Sequence, residues 1–182
     1  MRLASRLMEA PRSMAPRGGS FGRDEQGARQ MPKLSAGLLL YRSVEGLTEV
    51  LLVHPGGPFW AKRDDGAWSV PKGEYGANED PLGAAIREFQ EELGLAPPGD
   101  PPVFLGELRQ PGGKRVSAWA LEGDLDVEAV RSNTFTMEWP SGSGVTREFP
   151  EVDRAAWFGL ETARRKLLPG QVGFLERLSE LL

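Results

Sequence analysis

The chain has 182 residues, no cysteine, a single histidine and a formal net charge of −4. The missing cysteine excludes a disulfide framework, thiolate zinc centres and cysteine nucleophiles, and fits a reducing cytoplasm. With only His54 available, any divalent metal must sit on carboxylate and carbonyl oxygens, which points to Mg²⁺, Mn²⁺ or Ca²⁺. Residues 1–32 carry six Arg against Glu9, Asp24 and Glu25, so residues 33–182 hold a net −7. That acidic body argues against nonspecific binding to a nucleic-acid backbone. No apolar run approaches the roughly 20 residues needed to span a bilayer.

Residues 1–32 have no sustained periodicity and many Gly and Pro. They read as a disordered arm, or as sequence upstream of a start at Met14 or Met31, with the folded domain at 33–182. The apolar runs Leu34–Tyr41 and Val50–His54, broken by polar residues 42–48, predict two strands of a hairpin. A Gly- and Pro-rich loop follows at 54–68, long enough to carry function. Trp68–Val70 reads as a short strand ending at Pro71. Asp80 before Pro81 marks a helix start, and Gly94 marks its end after Leu93. Val103–Arg109 and Arg115–Leu121 flank QPGGK as a second hairpin. Residues 132–139 suit another strand, 140–151 a flexible loop, and Arg154–Phe158 a last core strand. Helices are expected at Glu161–Leu168 and Gln171–Leu182, the latter with an apolar stripe of Phe174, Leu175, Leu178, Leu181 and Leu182. Strands joined by hairpins and mixed with helices fit α+β, or a layered α/β/α sandwich.

The helix at 81–93 departs from local preference. On a helical wheel Leu82, Ile86, Phe89 and Leu93 fall within about 60° of one another, as a core-facing stripe. Glu88, Glu91 and Glu92 fall together on the opposite side at i, i+3, i+4 spacing. Like charges at that spacing cost roughly 0.2–0.5 kcal/mol per pair. Two of these glutamates also sit in the last turn, where the helix dipole disfavours anions by roughly 0.3–1 kcal/mol each. An arbitrary acidic face is usually just solvated. Here a bound divalent cation would relieve both penalties, and residues that break local rules are expected at functional sites. Arg87 is placed to pair with Glu91 at i+4.

Gly73, Glu79, Arg87, Glu88, Phe89, Glu91, Glu92, Gly94 and Leu95 occupy every defined position of a 23-residue pattern, GEYGANEDPLGAAIREFQEELGL. This segment resembles the Nudix box. The resemblance implies an α/β/α sandwich with a mixed sheet and a hydrolase that cuts phosphoanhydride bonds. It implies Mg²⁺, or Mn²⁺, held by Glu88, Glu91, Glu92 and the backbone carbonyl of Lys72. Arg87 would orient carboxylates and Glu79 would support the site from the preceding loop. Some family members take a general base from the box and others from a distant loop, so Glu148 and Glu151 are candidates; both read equally as solvated loop charges.

The stretch WSVPKGE, 68–74, resembles the signature before the box in dinucleoside polyphosphate and diphosphoinositol polyphosphate hydrolases. The expected substrate is therefore a nucleoside diphosphate linked to another moiety, foremost a dinucleoside polyphosphate such as diadenosine tetraphosphate. Nucleoside triphosphates and diphosphoinositol polyphosphates are alternatives, and a noncatalytic nucleotide sensor is a further one, disfavoured by the intact carboxylates. Lys72 is a candidate phosphate contact, with Lys62 and Arg63 possible grips on a polyphosphate. Trp60 is a candidate base-stacking residue, although loop aromatics often simply anchor to the core. His54, at a strand end, is a weaker candidate for substrate contact. Trp119 and Trp157, in expected strands, read as core. The chain is expected to be cytoplasmic and to act as a monomer or homodimer.

Overall fold

The structure, a computed structural model, describes residues 32–99 and 101–182. The predicted arm at 1–32 therefore lies almost wholly outside the described residues. The strands are β1 (Leu34–Val44), β2 (Leu47–Pro55), β3 (Lys72–Glu74), β4 (Val103–Arg109), β5 (Arg115–Glu122), β6 (Thr134–Glu138), β7 (Thr146–Pro150) and β8 (Val152–Gly159). The helices are α1 (Pro81–Leu93), α2 (Leu160–Lys166) and α3 (Val172–Leu181), with 3₁₀ turns at Val127–Ala129 and Pro169–Gln171.

The main sheet runs β4-β5-β1-β2-β8, with β3 also paired to β1. β1 and β5 are parallel and every other pairing is antiparallel, so the sheet is mixed. Side chains alternate along a strand, and a strand covered on both faces reads as a continuous apolar run. That is why LLLY and VLLV lack polar breaks. Ala36, Leu38 and Leu40 of β1, with Leu51 and Val53 of β2, face one core with Phe89 and Leu93 of α1. Leu39, Val50 and Leu52 face the other, with Ala163 of α2 and Phe174, Leu175 and Leu178 of α3. The result is the α/β/α sandwich.

α1 begins and ends where the local chemistry dictates. Asp80 caps it, its carboxylate accepting from Gly83 N–H at 2.7 Å, and Pro81 occupies the first turn. Gly94 closes it at φ 70°, its N–H donating to Gln90 O at 2.8 Å. A side chain there would suffer the left-handed backbone and would overlap the Arg131 carbonyl.

Four expectations change. Residues 68–70 form no strand; Ser69 bridges Val53 of β2 and Trp68 bridges Leu167, and the strand starts only at Lys72. The segment is shared between partners on two sides, and the buried Gln171 holds it, its Oε1 accepting from Val70 N–H at 2.9 Å. The expected loop at 140–151 contains β7, which pairs with β6 from Thr134↔Pro150 to Glu138↔Thr146. Its mostly polar sequence hid the strand, whose order comes from its partner. Leu181, the last residue of α3, and Leu182 just beyond it are 45% and 61% exposed, because the helix runs off the end of the core. The fourth change concerns α1. Leu82 and Ile86 are only half-buried, whereas Ala84, Ala85, Glu88 and Glu92 are buried beside Phe89 and Leu93. The buried arc is rotated toward the acidic residues, because β3 packs against that flank as well as β1.

Candidate active site

The rotation of α1 puts two carboxylates where water is scarce. Glu92 is 5% exposed and Glu88 7% exposed. Glu92 Oε2 accepts from the Lys72 N–H at 3.0 Å, so the start of β3 is bonded directly to the last turn of α1. Glu88 lies flat against Gly73, where any Cβ would overlap its carboxylate. The glycine is therefore needed for close approach of strand and helix, not for its φ.

Arg87 gathers the remaining acids. Its Nε donates to Glu79 Oε1 at 3.0 Å, and its Nη1 donates to Glu88 Oε1 at 2.6 Å and Glu91 Oε2 at 3.3 Å. Nη2 reaches the Glu74 carbonyl at 3.5 Å. Burial opposes the guanidinium charge, but the bonds to Glu88 and Glu79 outweigh it and hold Arg87 firmly protonated. An open cavity of about 460 Å³ lies beside this fan, lined by Glu74, Tyr75, Gly76, Glu79, Arg87 and Glu91.

Burial pushes the Glu92 carboxyl up to about 8, with Lys72 and its N–H pulling the other way and Glu88 and Glu151 adding to the rise. Burial also raises Glu88, against the pull of Arg87. Glu151 is half-buried and raised as well, by burial and then by the charges of Glu88 and Glu91. Its backbone is tied at both ends: Glu151 N–H donates to Asn133 O at 2.8 Å, and Glu151 O accepts from Gly56 N–H at 2.9 Å. Four carboxylates from α1 and the β7–β8 junction thus sense one another electrostatically.

Among the described residues, no three acidic or histidine side chains close around one point. Arg87 and the Lys72 N–H hold the carboxylates instead. Chemically the set still suits a hard divalent cation: all donors are oxygens, and the buried anions lack enough positive charge to offset their desolvation.

The two loop candidates separate. Glu148 lies on β7, its Oε1 accepting from Thr134 Oγ1 at 2.5 Å, and is exposed. Glu151 is the one that faces the α1 carboxylates.

The other expected contacts lie elsewhere. Trp60 packs against the α2–α3 side of the sheet, and the Arg63 guanidinium sits over its ring at 5.3 Å. Lys62 is exposed. None of the three is brought together with Glu88 and Glu92. His54 is fully buried, edge-on to Trp68, with Nε2 donating to Arg63 O at 2.8 Å and Nδ1 2.6 Å from Asp153 Oδ1. Both ring nitrogens are used, so His54 anchors the 56–68 loop to β8 and offers nothing to a ligand. Asp153 gave no sequence signal, because only the β2–β8 register brings it beside His54. Trp119 and Trp157 pack against the α1-side core as expected. Gln171, which positions the segment leading to Lys72, was also invisible in a sequence where it reads as an ordinary helix-start residue.

The NUDIX domain model matches residues 31–178, and the chain belongs to that family. It is similar to the RNA pyrophosphohydrolase of Rhodospirillum rubrum, 45% identical over 65 residues, covering 35% of this chain and 38% of the relative. The match to the RNA pyrophosphohydrolase of Halorhodospira halophila is 51% identical over 39 residues, 21% of this chain and 22% of the relative. The chain therefore matches well under half the length of either. Its fold is similar to that of a C. elegans Ap4A hydrolase binary complex, with TM-score 0.58 and 24% identity, covering 81% of this chain and 96% of that one. It is also similar to the NUDIX domain of Shewanella oneidensis NrtR complexed with ADP ribose, with TM-score 0.57 and 16% identity, covering 87% and 93%. Among the described residues no helix is long and apolar enough to cross a membrane.

Proposed function

We propose that this chain is a pyrophosphohydrolase that cleaves a phosphoanhydride bond in a nucleoside diphosphate linked to a second moiety, with dinucleoside polyphosphates as the leading substrate class. The observation that carries the reading is that Glu151, from a separate element, lies within electrostatic reach of Glu88, Glu91 and Glu92, with Arg87 bonded to Glu88 and Glu91 and the Lys72 N–H bonded to Glu92. The substrate class rests on Trp68–Gly73, and the NUDIX family is in general divalent-metal dependent.

Glu88, Glu91, Glu92 and the Lys72 carbonyl are the groups that would hold Mg²⁺ or Mn²⁺. Bound there, the cation supplies positive charge against the phosphate oxygens and favours ionisation of the attacking water. The chain's own groups do the rest. Arg87 holds Glu79, Glu88 and Glu91 in one arrangement. Glu151, with a carboxyl raised by burial and by its acidic neighbours, is the better of the two loop candidates for taking a proton from water, since a base works best with a pKa drawn toward the working pH. Lys72 adds a cation beside the phosphates.

The two curated relatives favour a second reading for the same chemistry, a phosphoanhydride carried on RNA. The net −7 of residues 33–182 weighs against an extended nucleic-acid footprint. Purified protein should be assayed with Mg²⁺ against diadenosine tetraphosphate, nucleoside triphosphates, ADP-ribose, diphosphoinositol phosphates and a 5′-triphosphorylated oligoribonucleotide. Turnover of diadenosine tetraphosphate at the highest kcat/KM is expected, with Glu151→Gln slowing kcat about 100-fold or more. Absence of turnover on the whole panel refutes the enzyme reading. A cysteine-free chain also suits a cytoplasmic site of action.

A further inference from the structure

The Glu151 carboxyl can serve the chemistry only if its backbone is held in one place relative to α1. Glu151 sits at the junction of β7 and β8, where the chain leaves the two-stranded sheet and enters the main one. Such a junction has no ladder of its own, so its polar groups must find partners elsewhere. Three neighbouring residues supply them. Glu151 N–H donates to Asn133 O at 2.8 Å, and Glu151 O accepts from Gly56 N–H at 2.9 Å. The next amide, Val152 N–H, donates to Ser132 Oγ at 2.9 Å. The first two bonds run backbone to backbone and most residues could make them. The third depends on a hydroxyl.

Ser132 does more than occupy one amide. Its hydroxyl also donates to Asn133 O at 3.0 Å, the same carbonyl that accepts from Glu151 N–H. A hydroxyl has one donor and two lone pairs, enough for both contacts. The amides on either side of the Glu151 Cα are thus held by one hydroxyl and by the carbonyl it bonds. This segment is in turn fixed to α1. The last carbonyls of a helix lack partners within it. Here Leu93 O accepts from Arg131 N–H at 2.9 Å and Glu91 O from Asn133 N–H at 3.4 Å, so residues 131–133 are bound to the turn that carries Glu91 and Glu92. Ser132 itself is half-buried, and it contributes these bonds rather than apolar packing.

We propose that Ser132 is a positioning residue for Glu151: its hydroxyl fixes the peptide groups on both sides of Glu151 against the last turn of α1, and so sets where the carboxylate stands relative to Glu88, Glu91 and Glu92. The inference rests on the reading of Glu151 as the group that takes a proton from water. A catalytic group displaced by about 1 Å can lose about 100-fold in rate, so a hydroxyl that never touches the substrate can govern kcat.

Two measurements on the full chain test this, one of them independent of turnover. In amide hydrogen exchange, Ser132→Ala should speed exchange at Val152 about tenfold, the loss of one hydrogen bond, and loosen Glu151 as well, while α1 and β2 keep wild-type protection. Unchanged exchange at both amides overturns the inference. In turnover of diadenosine tetraphosphate with Mg²⁺, Ser132→Ala should lower kcat about tenfold or more with KM little changed, and Ser132→Thr, which keeps the hydroxyl, should recover most of it. The deciding comparison uses Glu151→Gln. In that background Ser132→Ala should change kcat by less than about twofold, because the serine acts only through the glutamate. A loss in the double variant as large as in Ser132→Ala alone overturns the positioning role. A slowed Glu151→Gln beside a wild-type Ser132→Ala removes the serine's role and leaves the base reading standing, whereas wild-type kcat in Glu151→Gln removes both.

Discussion

The sharpest consequence of the geometry concerns Glu92 in the absence of metal. Its carboxyl titrates near 4.5 in the unfolded chain and is pushed up to about 8 in the fold, chiefly by burial. Between those values the folded protein keeps a proton that the unfolded chain has released. Stability must therefore fall as pH rises through that window, by 1.36 kcal/mol per pH unit. Across the interval this amounts to about 5 kcal/mol as an upper bound, since relaxation and water penetration soften it. Glu92→Gln removes the titration while its amide oxygen still accepts from the Lys72 N–H. Urea unfolding in EDTA from pH 5 to 9 is the assay. Wild type should lose several kcal/mol over this range, whereas Glu92→Gln should lose markedly less and be the more stable protein at pH 9. The same variant should lose at least about 100-fold in activity, because the group that destabilises the metal-free fold is the one the cation needs. If Glu92→Gln keeps the wild-type pH slope, or is less stable at pH 9, Glu92 is not a buried ionisable group of the fold and no buried charge there calls for a cation.

Other outcomes follow from individual contacts. Gly73→Ala forces the Glu88 carboxylate aside, so activity should drop at least about tenfold for a stability loss of only about 1–3 kcal/mol; wild-type kinetics in this variant would show that Glu88 need not lie against β3. His54→Ala strands the Arg63 carbonyl and Asp153 and opens a buried space, so it should cost about 2–4 kcal/mol, or roughly 5–15 °C in Tm, with KM nearly unchanged. A raised KM with an unmoved Tm would instead make His54 a substrate contact. Mg²⁺ in excess should raise the wild-type Tm by the usual mass-action stabilisation, more at pH 8 than at pH 6 because less proton must be displaced from Glu92, and should leave Glu92→Gln almost unmoved; a shift independent of pH would place the ion elsewhere.

Much of this protein is legible without coordinates. The apolar runs of β1 and β2 with the polar break between them, the Asp80–Pro81 start and Gly94 stop of α1, and the acidic spacing at 88, 91 and 92 are all local features, and local chemistry decides them. Three kinds of information are not local. β7 is a polar stretch that becomes a strand only because β6 lies beside it. The choice between Glu148 and Glu151 depends on which way each faces once the β6–β7 pair has ended and Glu151 has been tied to Asn133 and Gly56. The depth of Glu92, and with it the site's electrostatics, depends on β3 packing against the flank of α1 that a helical wheel marks as solvent-facing. Sequence by itself marked Glu88, Glu91 and Glu92 as oxygen donors chemically suited to a divalent cation. Only the tertiary structure decided which of them are buried and which lie together, because desolvation and proximity belong to the packed chain and not to the order of its residues.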